Sequence, residues 1–168
     1  MPIVIGSMAQ KMRQNVQVMG HNVPLTHKWC CYVRGLRENA SLTDPVDEQD
    51  LSFLIKKVEF QIHDSFPDPL ITVSQAPFEI HNAGYGEFPC HITIHFQDPH
   101  ERPLEYTHPI KFKLDAGQKR ASAPVVYERY NEVTFVEPTE MFYKVLQDNT
   151  FENYIKAQRD IYSTKSAD

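Results

Sequence analysis

The sequence predicts an all-β fold: an immunoglobulin-like β-sandwich of about seven or eight antiparallel strands with short C-terminal helices. Two observations predict it. Apolar residues recur at every second position in successive short segments, the mark of strands that bury one face and wet the other. Pro, Gly, Asn and Asp bound these segments, and no helical periodicity falls between them before Pro138.

In chain order, a short strand is expected at Val4 to Ile5, and another at Trp29, Cys31 and Val33. Leu36 to Gln49 is polar, carries Pro45 and reads as a loop. Val58, Phe60 and Ile62 alternate with Lys57, Glu59 and Gln61 in the clearest strand. Shorter candidates follow at Ile71 to Val73 and Phe78 to Ile80. Cys90, Ile92, Ile94 and Phe96 then oppose His91, Thr93 and His95, and Tyr106, His108, Ile110, Phe112 and Leu114 oppose Thr107, Lys111 and Lys113. Asp115 to Ala123 is a polar connector, and Val125 to Phe135 supplies the last strand. Beyond Pro138, a favourable first-turn residue, Met141, Phe142, Val145 and Leu146 recur at helical spacing, as do Phe151, Tyr154, Ile155, Gln158 and Tyr162. The expected organisation is a sandwich domain over 1–137 and a helical extension over 138–168.

With 17 basic against 22 acidic side chains the chain has a net charge of −5, and no Lys/Arg stripe is present, which argues against direct nucleic-acid binding. Such a body suits a basic polypeptide partner. Cys30, Cys31 and Cys90 form no CxxC pair and read as buried small hydrophobes in a reducing compartment. No stretch approaches the ~20 apolar residues of a membrane span, so a soluble intracellular protein is expected, without a membrane partner.

Three stretches stand out for chemistry: Thr26-His27-Lys28-Trp29, His63-Asp64-Ser65-Phe66-Pro67-Asp68-Pro69, and Gly84-Tyr85-Gly86-Glu87-Phe88. Glycines beside Tyr85 let backbone amides approach a ligand closely or adopt positive φ. His63, Asp64 and Ser65 are triad residue types, but no GxSxG elbow is present, and three consecutive residues do not adopt nucleophile, base and orienter geometry. A Ser-His hydrolase is therefore the weaker reading. His91 and His95 would lie ~13 Å apart on one strand face at ~3.3 Å per residue, with Cys90 on the other face, so no metal site is expected among them and His108. These histidines read as surface or inter-strand residues, and Trp29 as core.

The chain resembles the YEATS family. The resemblance runs through Pro2-Ile3-Val4-Ile5-Gly6, His27 to Trp29, Val33-Arg34-Gly35, Lys56-Lys57-Val58-Glu59-Phe60, His63-Asp64-Ser65-Phe66 and Pro77-Phe78-Glu79. It continues through Gly84-Tyr85-Gly86-Glu87-Phe88-Pro89 to Phe135-Val136-Glu137-Pro138-Thr139, covering about 140 of the 168 positions in order and spacing. It looks closest to the branch found in histone-acetyltransferase and histone-exchange remodelling complexes. The resemblance implies a nuclear reader of acetyl- or crotonyl-lysine in a histone tail, that of the third core histone, acting as a subunit of an acetyltransferase or remodelling complex. It implies no catalytic residue, metal or cofactor. His63, Ser65, Phe66, Gly84, Tyr85, Gly86 and Phe88 would form the acyl-lysine pocket, with Leu25, His27, Glu87 and Pro109 as rim candidates. Phe66 and Tyr85 would sandwich the flat amide, while the Ser65 hydroxyl and the Tyr85 N–H hold its carbonyl. Leu25 stands where some members carry an aromatic, and Pro109 where some carry an acidic residue. The non-enzymatic alternative is a docking scaffold that binds no acyl-lysine.

Overall fold

The computed structural model describes residues 1–20, 22–36, 48–113 and 123–165. Its elements in order are β1 (Pro2–Val16), β2 (Leu25–Arg34), β3 (Ile55–Gln61), β4 (Leu70–Val73), β5 (Phe78–Gly84), β6 (Phe88–Phe96), β7 (Leu104–Ile110), β8 (Val125–Glu132), α1 (Glu140–Asp148) and α2 (Phe151–Lys165). Two four-stranded sheets, ordered β5-β2-β1-β8 and β4-β3-β6-β7, face one another. All their pairings are antiparallel. This is the expected sandwich. Leu114 and the connector to position 122, and the loop over 37–47, lie outside the described residues, as do the side chains of Gln158 and Tyr162.

The core fills from both inner faces. Ile3 and Ile5 of β1, Trp29, Cys31 and Val33 of β2, and Phe78 and Ile80 of β5 meet Val58 and Phe60 of β3, Cys90, Ile92 and Ile94 of β6, and Ile110 of β7. These are the positions that the period of two assigns inward. All three cysteines are free and buried.

Several elements differ from the sequence reading, each for a physical reason. β1 runs for 15 residues where Val4 to Ile5 was expected. Its pairing with β8 ends at Ala9↔Val125, so Gln10 to Val16 pair with β2 alone and are mostly exposed. A ribbon wet on both faces leaves no hydrophobic alternation to read. β2 buries Cys30 and Tyr32 on its outer face as well. Gly6 makes this possible, because a Cβ there would lie 2.6 Å from Tyr32 Cε2. The Tyr32 ring lies over that bare strand and its hydroxyl donates to Glu128 Oε1 at 2.5 Å, which Arg34 also reaches at 2.8 Å. Burial and the Glu128 carboxylate push the Tyr32 phenol above its usual range, so it stays a donor.

Pro138 precedes α1 and lies outside it. The N-cap is Thr139, whose hydroxyl oxygen accepts from Phe142 N at 3.3 Å and whose hydroxyl donates to Asp98 Oδ2 at 2.6 Å, tying the helix to the β6–β7 turn. Phe142 stacks edge-on against Phe135 at 5.0 Å, and Phe135 does the same to Phe96. Phe142→Ala should cost about 3–5 kcal/mol of unfolding free energy, the usual range for truncating a core aromatic. Denaturant unfolding measures it, and a loss below ~1 kcal/mol would mean that the helix rests on the sandwich without sealing it.

His108 corrects the expectation of a surface or inter-strand histidine. It is 1% exposed and lies between the sheets, with Nε2 2.9 Å from Ser7 Oγ on β1. Alternation put it inward, but its polarity argued otherwise. Burial, assisted by the Arg129 cation, lowers its pKa to about 4 from the model-peptide 6.5. The folded state therefore favours the neutral ring. That contribution is complete above pH 6.5 and is lost as pH falls from 6.5 towards 4, for a total of about 3 kcal/mol. His108→Gln keeps a partner for Ser7 and removes the titration, so its stability should fall less than wild type across this window. Parallel slopes from pH 4 to 7 would show that His108 does not contribute.

Candidate binding cavity

Ring packing at one end of the sandwich fixes the site. β3 ends at Gln61, and Ile62 N donates to Pro69 O at 2.8 Å, closing the loop between them. Within it, Phe66 N donates to His63 O at 3.0 Å, so His63 to Phe66 form a tight turn. Phe66 meets Trp29 of β2 edge-on at 5.8 Å and Phe88 of β6 at 5.4 Å, while Trp29 and Phe88 are 5.3 Å apart. One ring comes from each sheet and one from the loop.

Over these rings opens a half-enclosed cavity of about 310 Å³. His63, Ser65, Phe66, Gly84, Tyr85, Gly86 and Phe88 line it, together with Leu25 and Glu87 of the rim candidates. His27 and Pro109 do not. His27 stacks on Phe112 at 4.3 Å and 19°, and Pro109 pairs with Pro89 in the β6–β7 ladder. Pro67, from a stretch singled out in the sequence but not named as a pocket residue, also lines the cavity, as do Val18, Asn82 and Ala83, which were not singled out. Asn82 and Ala83 arrive because β5 continues to Gly84, four residues past the expected Ile80. Val18 comes from the β1–β2 connection, which carried no pattern at all.

Tyr85 is 48% exposed, a large ring standing at the mouth. Of the two roles open to its glycines, positive φ is not used: among the described glycines only Gly20 has it. A Cβ on Gly86 would meet no protein atom, and one on Gly84 would make ordinary contacts at 3.4–3.9 Å with Trp29, Phe66 and Phe112. Both glycines therefore leave bare backbone towards the cavity.

Ser65 Oγ lies 2.8 Å from His63 Nδ1, and Ser65 N donates to that same nitrogen at 3.1 Å. A nitrogen that accepts the backbone N–H carries no proton, so the hydroxyl also donates to it. Among the described residues no hydrogen bond joins Asp64 to His63. The contact is thus an i, i+2 turn closure without an orienting acid. His91 meets Thr107 at 3.0 Å and His95 meets Glu59 at 3.0 Å, each across its own ladder.

Among the described residues no lysine or arginine lines the cavity. Glu87 Oε1 accepts from the backbone N–H of Phe112 at 2.6 Å and of Lys113 at 3.1 Å. Beside it, His27 has its pKa lowered by burial and then by Lys11, against the opposing pull of Glu87. The cavity accordingly offers aromatic walls, bare backbone, the hydroxyls of Ser65 and Tyr85 and little net charge, which suits a flat neutral group.

Comparison with known proteins gives the family. The YEATS family profile matches residues 24–114. Transcription initiation factor TFIID subunit 14b of Arabidopsis thaliana is 35% identical over 127 residues, covering 74% of this chain and 44% of that protein. The AF-9 homolog of Saccharomyces cerevisiae is 32% identical over 165 residues, covering 86% of this chain and 66% of that protein. The chain thus spans less than two thirds of either relative. A solved structure of the Yaf9 YEATS domain bound to H3K27ac superposes with a TM-score of 0.69 at 33% identity, covering 88% of this chain and 92% of that one. With the profile spanning more than half of its residues, the chain belongs to the YEATS family.

Proposed function

We propose that this protein binds acylated lysine, acetyl or crotonyl, in a histone tail through the Phe66–Tyr85 cavity, and that it does so without turnover as a subunit of a nuclear chromatin-modifying or remodelling complex. The observation that carries this reading is the lining itself: Phe66, Tyr85 and Phe88 around bare glycine backbone, with the Ser65 hydroxyl and, among the described residues, no lysine or arginine. The similar Yaf9 domain bound to H3K27ac supports it. A net charge of −5 favours encounter with a basic tail.

Acylation turns an ammonium into a planar amide. Aromatic faces accept the amide, and its oxygen needs one or two donors. An unmodified ammonium would lose its hydration and find a poor partner, since one oxygen of the Glu87 carboxylate is already engaged by two amides. The Ser65 hydroxyl donates to His63 Nδ1 in the free protein, so holding an acyl carbonyl requires that it rotate away. Its net contribution is an exchange of hydrogen bonds and falls in the lower part of the ~0.5–1.5 kcal/mol range. Leu25 and Val18 give the cavity an aliphatic side, where burial of acyl carbons contributes up to ~0.8 kcal/mol per methylene.

Calorimetric titration with an acetylated histone-tail peptide beside its unmodified twin tests the proposal. Wild type should bind the acetylated peptide alone. Tyr85→Ala should weaken binding by ~2 kcal/mol or more at little cost in stability, because the ring is half exposed and central to the proposed interface. Ser65→Ala should weaken it by less than ~1 kcal/mol. Equal affinity for both peptides would leave the docking scaffold as the better reading.

A further inference from the structure

We propose that Glu87 is a positioning residue that holds the Tyr85 wall in its binding-competent place by fastening the wall loop to the chain that leaves β7. The proposal rests on the reading of the cavity given above and names how one wall of it is set.

The ladder between β6 and β7 ends at Phe88↔Ile110. Past Ile110 the chain leaves the sheet, and the amides of Phe112 and Lys113 have no strand opposite them. The Glu87 side chain substitutes for one, with a single oxygen accepting both N–H groups at 2.6 and 3.1 Å. Bonds to a carboxylate are about twice as strong as neutral ones. Phe112, held this way, is 7% exposed and lays its ring on His27 at 4.3 Å. His27 in turn pairs with Gly84 between β2 and β5, and Thr26 Oγ1 lies 2.8 Å from His27 Nδ1 and donates to Gly84 O at 3.4 Å. Phe112 Cζ also stands 3.9 Å from where a Gly84 Cβ would be.

The wall loop is therefore anchored at both ends. Gly84 is held by the β5–β2 ladder and by Thr26, and Glu87 by the two amides. Between the anchors stand only Tyr85 and Gly86, both exposed. At Gly86 no packing holds the loop among the described residues, since an added Cβ there would meet no atom within 4 Å beyond its chain neighbours. With the Glu87 anchor removed, the unfastened span between Gly84 and Phe88, which stays paired with Ile110, grows from Tyr85 and Gly86 to include Glu87, and the fraction of molecules presenting Tyr85 over the cavity falls, which lowers apparent affinity in proportion.

Three proteins decide this: wild type, Glu87→Ala and Glu87→Gln, the last isosteric and retaining an acceptor oxygen. Residue-resolved amide exchange should be about tenfold faster at Phe112 and Lys113 in Glu87→Ala, the effect of losing a charge-assisted hydrogen bond, and unchanged across β3. Acetyl-peptide affinity should fall by a similar factor in Glu87→Ala and be largely restored in Glu87→Gln. Unchanged exchange at Phe112 and Lys113 would overturn the latch. Faster exchange with unaltered affinity would overturn its positioning role, as would Glu87→Gln binding no better than Glu87→Ala. Failure of wild type itself to bind acetylated peptide would instead overturn the acyl-lysine reading, and the exchange at Phe112 and Lys113 would then decide the latch alone.

Discussion

The packing of Trp29, Phe66 and Phe88 is the constraint on which the rest of the site depends. Trp29 belongs to one sheet, Phe88 to the other, and Phe66 to the loop after β3, and the three meet within 5.3–5.8 Å. The last layer of the core is thus also the floor of the cavity. Edge-on aromatic pairs contribute about 0.5–1.5 kcal/mol each beyond burial, so the loop that carries Ser65 is held by the same contacts that close the sandwich. A site built this way is preorganised, and a ligand entering it need not supply the free energy of ordering the floor. Tyr85 alone among the aromatic walls stands outside the packed cluster. Its placement accordingly falls to hydrogen bonds at either end of its loop.

Much of this architecture was legible from residue order. Period-two alternation places Val58, Phe60, Cys90, Ile92 and Ile94 inward because both faces of a sandwich strand differ sharply in environment. It was silent for Gln10 to Val16, where the ribbon is wet on both sides, and it understated β2, where Gly6 lets Tyr32 cover the outer face. His108 illustrates the opposite failure. Its position in the pattern was right, but a polar side chain at an inward position is read as surface unless its partner is known. Ser7 sits 101 residues away in sequence.

Within the cavity, the motif residues were legible because they are unusual: aromatics beside glycine or proline in loops. Val18 was not, since a single aliphatic residue in an irregular connection has no periodicity to mark it. The role of Glu87 was hidden for a different reason. Its partners are backbone N–H groups, which every residue carries, so no side chain at Phe112 or Lys113 signals the contact. His27 does not line the cavity because its ring turns onto Phe112, a choice made by the tertiary fold.

The central claim is that an acyl group enters over the ring floor and beneath Tyr85. Titration of isotopically labelled protein with an acetylated histone-tail peptide, and separately with its unmodified twin, followed by amide chemical shifts, tests this most directly. The account predicts acetyl-dependent shifts concentrated at Ser65, Phe66, Gly84, Tyr85, Gly86 and Phe88, and small ones with the unmodified peptide. Shifts of equal size with both peptides, or acetyl-dependent shifts centred on Tyr32, Arg34 and Glu128 of the outer sheet face, would contradict it.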